Sequence, residues 1–182
     1  MAERRVVEGY PQYKNSSQVW LGEVPSDWRL LRNKYAAEYA KGRNPSELFV
    51  ESADGLIPYL SMDYLRGNSP AQNAKVERRS VVVREGQILV IWDGSNAGEF
   101  VKGKDGLLSS TMAMADVTSE FDLDYYWFAC KTFEPELRRT AVGMGIPHVD
   151  GDELRNGRIL RSACITQQLD RVAAVQLGFC IL

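Results

Sequence analysis

Histidine is nearly absent: His148 is the single one in 182 residues. Cysteine is scarce too, and Cys130, Cys164 and Cys180 stand far apart with no C-x-x-C pair. A zinc framework needs His, Cys or carboxylate ligands at close spacing, so none is expected. The odd number and wide spacing read as buried or free thiols, not as a disulfide scaffold. A Ser-His-Asp triad would have to use His148, and no G-x-S-x-G turn is present to carry its nucleophile. A packed or loop-capping histidine is the first reading, with a small hydrolase built on His148 as the alternative. No apolar run reaches the ~20 residues that cross a bilayer. Met1-Ala2-Glu3-Arg4-Arg5 lacks the apolar stretch of a secretion signal. A cytoplasmic protein with no membrane partner is therefore expected. Internal repeats, low-complexity tracts and a regular strand-helix-strand alternation are also missing, and no metal, cofactor or catalytic group is implied.

What is present is an ordinary core: 45% of residues are hydrophobic and 25% charged, enough for one domain. The net charge of −2 argues mildly against nucleic acid as a partner. Its distribution matters more. Residues 29–43 hold Arg29, Arg32, Lys34, Lys41 and Arg43 against Glu38 alone. Residues 116–136 hold Asp116, Glu120, Asp122, Asp124, Glu134 and Glu136 against Lys131 alone. These could be a basic and an acidic face, or simply two solvated helix surfaces.

The pattern along the chain predicts an α+β fold with a mixed or antiparallel twisted sheet and flanking helices. Residues 1–28 read as an extended arm anchored by Trp20 and Trp28. Residues 29–40 read as a helix, because Leu31, Tyr35 and Tyr39 recur every fourth residue, with Asp27 near its N-cap. Gly42 and Pro45 end it and leave an exposed basic loop. Residues 56–60 read as an edge strand, since Pro58 has no N–H for a ladder, and 62–70 as a loop. Residues 80–84 and 87–92 are the strongest strand signals, joined tightly at Glu85-Gly86. Residues 111–117 read as a strand with Met112 and Met114 on one face, Ala113 and Ala115 on the other. Residues 124–132 read as a helix and Pro135 as the start of a second, with Leu123, Tyr126, Cys130, Phe133 and Leu137 along their buried seam. Residues 143–148 form a loop, 151–161 are polar, and 165–177 form a weakly amphipathic helix.

Two stretches invite chemistry. Gly98 to Lys104 fits G-x-x-x-x-G-K, the opening of a phosphate loop, but Asp105 stands where Ser or Thr should bind magnesium. Gly106 then breaks the helix that should hold the phosphates, so a Lys- and Gly-rich hairpin loop is the better reading. In Ile91-Trp92-Asp93-Gly94-Ser95-Asn96-Ala97-Gly98, a stiff strand delivers a polar turn. Asn can read adenine through two hydrogen bonds and Ser can meet a base or a phosphate. An ordinary β-turn uses the same residues, and sequence physics alone favours it. The acids around Asp122 and Asp124 are best explained as caps of the following helix.

An ordered set of segments resembles the recognition domain of type I restriction-modification specificity subunits. It runs from Tyr10-Pro11-Gln12-Tyr13-Lys14-Asn15-Ser16 through Trp20-Leu21-Gly22-Glu23-Val24-Pro25-Ser26-Asp27-Trp28 to Lys41-Gly42-Arg43-Asn44-Pro45. It continues with Ile57-Pro58-Tyr59-Leu60 and Asp63, Glu85 to Val90, Asp93 to Gly98, and the loop from Gly143 to His148. The resemblance covers residues 10 to about 159. It implies a non-catalytic α/β target recognition domain that reads one half of a bipartite site in double-stranded DNA. It further implies a methyltransferase subunit as partner and, through it, a restriction subunit. S-adenosylmethionine, magnesium and ATP would belong to those partners. On this reading residues 1–28 are the arm, 29–159 the recognition domain and 160–182 a shortened spacer-helix segment. Leu160 to Ile165 stands where the family carries a Pro-rich turn, the spacer is about three turns, and no second recognition domain follows. A half or truncated subunit is thus expected, with a homodimer or a protein-interaction role for the last helix as alternatives. Lys41, Arg43, Arg78, Arg79, Lys102 and Lys104 are the expected phosphate contacts. Asn44, Tyr64, Ser95 and Asn96 are the expected base contacts.

Overall fold

The computed structural model describes residues 12–141, 143 and 145–162. The arm begins as an antiparallel pair, β1 (Tyr13–Asn15) and β2 (Glu23–Pro25). Val24 and Trp28 are buried in the same core as the residues that follow. Trp28 meets Tyr125 edge-on at 6.1 Å and Trp20 lies 5.8 Å from Phe133, so both tryptophans anchor the arm as expected.

A central sheet organises the rest. Its order is β4 (Ala37–Lys41), β11 (Met112–Val117), β8 (Ile88–Ile91) and β9 (Phe100–Lys102), all antiparallel. The alternation along β11 decides what lies on each face. Ala113 and Ala115 join the larger core, and Met112, with Met114 beside it, joins the smaller one. The small residues leave room for aromatic side chains of α2 (Leu123–Arg139) on that side. On the other face sits a second sheet, ordered β6 (Gln72–Lys75), β5 (Leu56–Leu60), β10 (Gly106–Leu108) and β7 (Val82–Val83). Its β5–β10 pair is parallel and its other pairs are antiparallel. The central sheet is therefore covered on both faces, which is why Ile88, Leu89, Val90 and Ile91 are all buried. This mixed arrangement is the α+β class expected.

The helix α2 is capped by Asp122, whose carboxylate accepts from the Tyr125 N–H at 3.0 Å. Tyr125, Tyr126, Ala129, Cys130, Phe133 and Leu137 form its buried face. It is one helix of 17 residues, not two. Pro135 lies inside it, solvent-exposed, and packing of Phe133 and Leu137 on either side carries the helix through. Leu123, expected on the seam, is the first residue of α2 and is 39% exposed. A short helix α1 (Met62–Leu65), capped by Ser61, replaces the loop expected there. A third helix, α3 (Gly151–Asn156), is capped by Asp150 and feeds β12 (Arg158–Arg161).

Three other expectations are corrected. Residues 29–40 are not a helix: they form β3 (Arg29–Arg32), a single 3-10 turn Asn33–Tyr35, and then β4. The reason is long-range, since β3 pairs antiparallel with β12, Arg29 opposite Arg161 and Arg32 opposite Arg158. Asn33 is buried and donates from its backbone to the Gly157 carbonyl at 2.8 Å. Asp27 consequently caps no helix. Strand β5 is interior, not an edge, and Pro58 is accommodated between β6 and β10. The tight connection at Glu85-Gly86 is present, with the Gln87 N–H donating to the Arg84 carbonyl at 3.1 Å, and it leads from β7 in one sheet to β8 in the other. The Lys- and Gly-rich stretch 98–105 is not one hairpin loop: it contains strand β9, and residues 103–105 carry the chain from β9 in one sheet to β10 in the other. The expected helix 165–177 lies outside the described residues.

Candidate nucleic-acid interface

The loop after β4 is laid against the turn between β10 and β11. Any side chain at Gly42 would collide with the carbonyls of Ser109 and Leu108, so only glycine allows this approach. The Gly42 N–H donates to Met112 and the Arg43 N–H to Leu108. Beyond it Asn44 is tied in place, its Oδ1 accepting from the Tyr59 hydroxyl at 2.8 Å and from the Ser110 N–H at 3.2 Å.

Two open depressions adjoin along this seam. The first, about 540 Å³, is lined by Arg43, Asn44, Glu77, Arg78, Arg79 and Ser110, with Gly42 and Ser80 completing it. Glu77 is fixed by the Ser46 N–H at 2.8 Å, which holds its carboxyl below the usual carboxylate range. The second, about 400 Å³, is lined by Tyr59, Ser61, Met62, Ser95, Asn96 and Thr111, over a floor that includes Ile91. Ser109, which also borders it, lies 2.8 Å from Thr111 through their hydroxyls. The Ser95–Asn96 turn is held by the loop from 145 to 149: Gly94 donates to Pro147, and Asp93 bridges the backbone of His148. His148 itself is exposed.

The sequence-derived candidates thus fall into groups. Arg43, Asn44, Arg78 and Arg79 share the first depression, and Ser95 and Asn96 border the second. Lys41 lies beside the second, bonded to Asp93 at 2.9 Å and 5.4 Å from the centre of the Trp92 ring. Lys104 covers the ring of Tyr64 at 4.6 Å and reaches its carbonyl at 3.3 Å, so these two hold each other. Lys102 is elsewhere. It pairs with Ile88, at the end of β8 away from Asp93, and bonds to Asp124 of α2 at 3.0 Å. Two acids of the run 116–136 meet bases from outside the basic run: Asp124 bonds to Lys102 and Glu120 to Arg161. Sequence reasoning missed Glu77 and the hydroxyls of Ser109, Ser110 and Thr111. The signal was there: Ser109, Ser110 and Thr111 are three consecutive hydroxyl residues.

No protein-family profile matches the chain. Over 137 residues, 75% of its length, it is 39% identical to the type I restriction enzyme MjaVIII specificity subunit of Methanocaldococcus jannaschii. The chain carries a domain of the type I specificity-subunit family. It spans about a third of that relative's length, 32%. Solved structures share the fold at low identity. The S subunit of a type I system from M. genitalium superposes with a TM-score of 0.61 at 16% identity, covering 82% of this chain and 38% of that one. A chain from a type I R-M system, solved for its complex assembly and conformational transition, gives 0.68 at 19%, with 85% and 39% covered. The HsdS subunit of Thermoanaerobacter tengcongensis gives 0.60 at 17%, with 93% and 43% covered. The specificity-subunit domain therefore accounts for nearly all of the described fold. Among the described residues no helix is long and apolar enough to cross a membrane.

Proposed function

We propose that this specificity-subunit domain is a DNA reader: it recognises one half of a bipartite duplex target and directs partner methyltransferase and restriction subunits, supplying no catalytic group itself. The observation that carries this is the pair of adjoining depressions. They gather Arg43, Arg78 and Arg79 with Asn44, Asn96 and a row of hydroxyls on one open surface. Arginines there can neutralise phosphates and set register, while carboxamides and hydroxyls can meet base edges. Lys41, Tyr64 and Lys104 flank this surface, and Lys102 contributes at most from the α2 side. Any S-adenosylmethionine, magnesium or ATP belongs to the partner subunits.

The test is selection of bound sequences from a random duplex pool by the purified chain at two salt concentrations. A short asymmetric motif that survives the higher salt is expected. Salt-sensitive binding with no enriched motif would reduce the role to backbone attraction. No binding with or without a methyltransferase subunit would overturn it.

A further inference from the structure

The amide of Asn44 has a fixed orientation. The backbone N–H of Ser110 can only donate, so the atom it meets at 3.2 Å is the carboxamide oxygen. That oxygen also accepts from the Tyr59 hydroxyl at 2.8 Å. Both lone pairs are then filled, and Asn44 has only its NH2 group left, two donors and no acceptor. The Tyr59 hydroxyl and the Ser110 N–H, both donating to the same oxygen, hold the Asn44 amide with its NH2 group left to the depression.

An asparagine that reads adenine needs its oxygen to accept from N6. Asn44 cannot do this. Its neighbours Arg43, Arg78 and Arg79 likewise offer donors only. The complementary ligand is a group with acceptors only: the N7 and O6 edge of guanine, or a phosphate. Glu77 separates the two. It lines the same depression, and its carboxylate has acceptor positions beyond the one that the Ser46 N–H fills on Oε1. A carboxylate repels a phosphate, but it accepts from the N4 amino group of cytosine, which stands beside guanine in the same pair.

We propose that the first depression reads a G·C base pair on its major-groove edge, with Asn44 and the arginines donating to guanine and Glu77 accepting from cytosine. This rests on the reading of the domain as a DNA reader. Tyr59 is a positioning residue for Asn44.

The experiment uses the whole chain and the motif selected by it. Asn44→Asp puts an acceptor where the NH2 group was, and Glu77→Gln adds a donor opposite cytosine. Both residues are exposed, so thermal unfolding serves as the control for folding. Each variant should lose discrimination at one shared G·C position by on the order of 10- to 100-fold, with other positions unchanged. Replacing that guanine by 7-deazaguanine should weaken the wild type and weaken Asn44→Asp less, since only the arginine contacts to guanine remain in the variant. Tyr59→Phe, which removes a donor to Asn44 without touching the base, should relax guanine preference there and keep affinity for the rest of the motif. The proposal fails if the motif contains no G·C pair sensitive to both variants. It also fails if 7-deazaguanine has no effect while a neutral methylphosphonate linkage abolishes the contribution of Asn44, which would make the depression a phosphate site. Should the wild type enrich no motif at all, the DNA-reading proposal falls first, an outcome distinct from either.

Discussion

Asn96 and Asn44 carry the same carboxamide, yet their surroundings make them different reagents. The Asn44 oxygen is saturated by Tyr59 and Ser110. Asn96 has only a long 3.5 Å contact from its NH2 to the Ser95 hydroxyl, which leaves its oxygen able to accept. It can therefore meet adenine in the two-bond geometry that Asn44 has lost. Asn96→Ala should cost about 1–3 kcal/mol on the selected target and little on unrelated DNA, as measured by equilibrium titration of labelled duplexes. An equal loss on every sequence would remove Asn96 from the base contacts. That residues 93–98 form a polar turn carrying Ser95 and Asn96 was legible in the sequence. That Asn44 is a donor-only group was not, because its partners Tyr59 and Ser110 lie 15 and 66 residues away.

At the scale of elements, the surface depends on how closely the loop after β4 approaches the β10–β11 turn. Gly42 faces the carbonyls of Leu108 and Ser109, main-chain atoms that cannot swing aside as a side chain would. Gly42→Ala should destabilise by about 1–3 kcal/mol, the range for overpacking. It should also displace Asn44 from Ser110, so urea unfolding and motif selection should both change. Stability lost with the motif preserved would mean that the loop and turn need not touch to read DNA. The glycine was visible in the sequence as a helix stop. It is instead the contact point between two strands' ends, because the helix it was meant to end does not exist. Leu31, Tyr35 and Tyr39 do recur at helical spacing, but Tyr35 is 61% exposed, and β3 is drawn into a pair with β12. Periodicity is a local signal, and a strand pairing across more than a hundred residues overrides it. Where local signals agreed with the packing, as in the Met/Ala alternation of β11 and the Asp122 cap, the reading of the sequence matches the fold.

The whole molecule is joined by a buried polar cluster. The Asn33 amide NH2 donates to Tyr39 at 2.9 Å and to the Leu154 carbonyl at 3.0 Å, while its oxygen accepts from Tyr126 at 2.6 Å. The Tyr39 and Tyr126 hydroxyls are 2.7 Å apart. Burial pushes both tyrosines, and the Cys130 thiol beside them, well above their ordinary pKa values, so the cluster stays neutral. It ties the 3-10 turn, the central sheet, α2 and α3 at one point. Tyr126→Phe would leave a buried carboxamide oxygen unpaired, with an expected loss of about 1–3 kcal/mol by urea unfolding. A double variant with Asn33→Ala should cost less than the sum of the two, since both changes remove the same bond. By itself the sequence determined the α+β class, the buried seam of Tyr126, Cys130, Phe133 and Leu137, the helix of residues 123–139 in its main part, and the order of segments that marks the specificity-subunit domain. Those properties follow from side-chain periodicity, capping and chain order, which are local. Tertiary structure alone decided which strands share a sheet, which charges are consumed by partners, as Lys102 is by Asp124, and which polar atoms remain free at the surface. Each of these depends on groups far apart in the chain being brought within hydrogen-bond reach, and no local pattern encodes that distance.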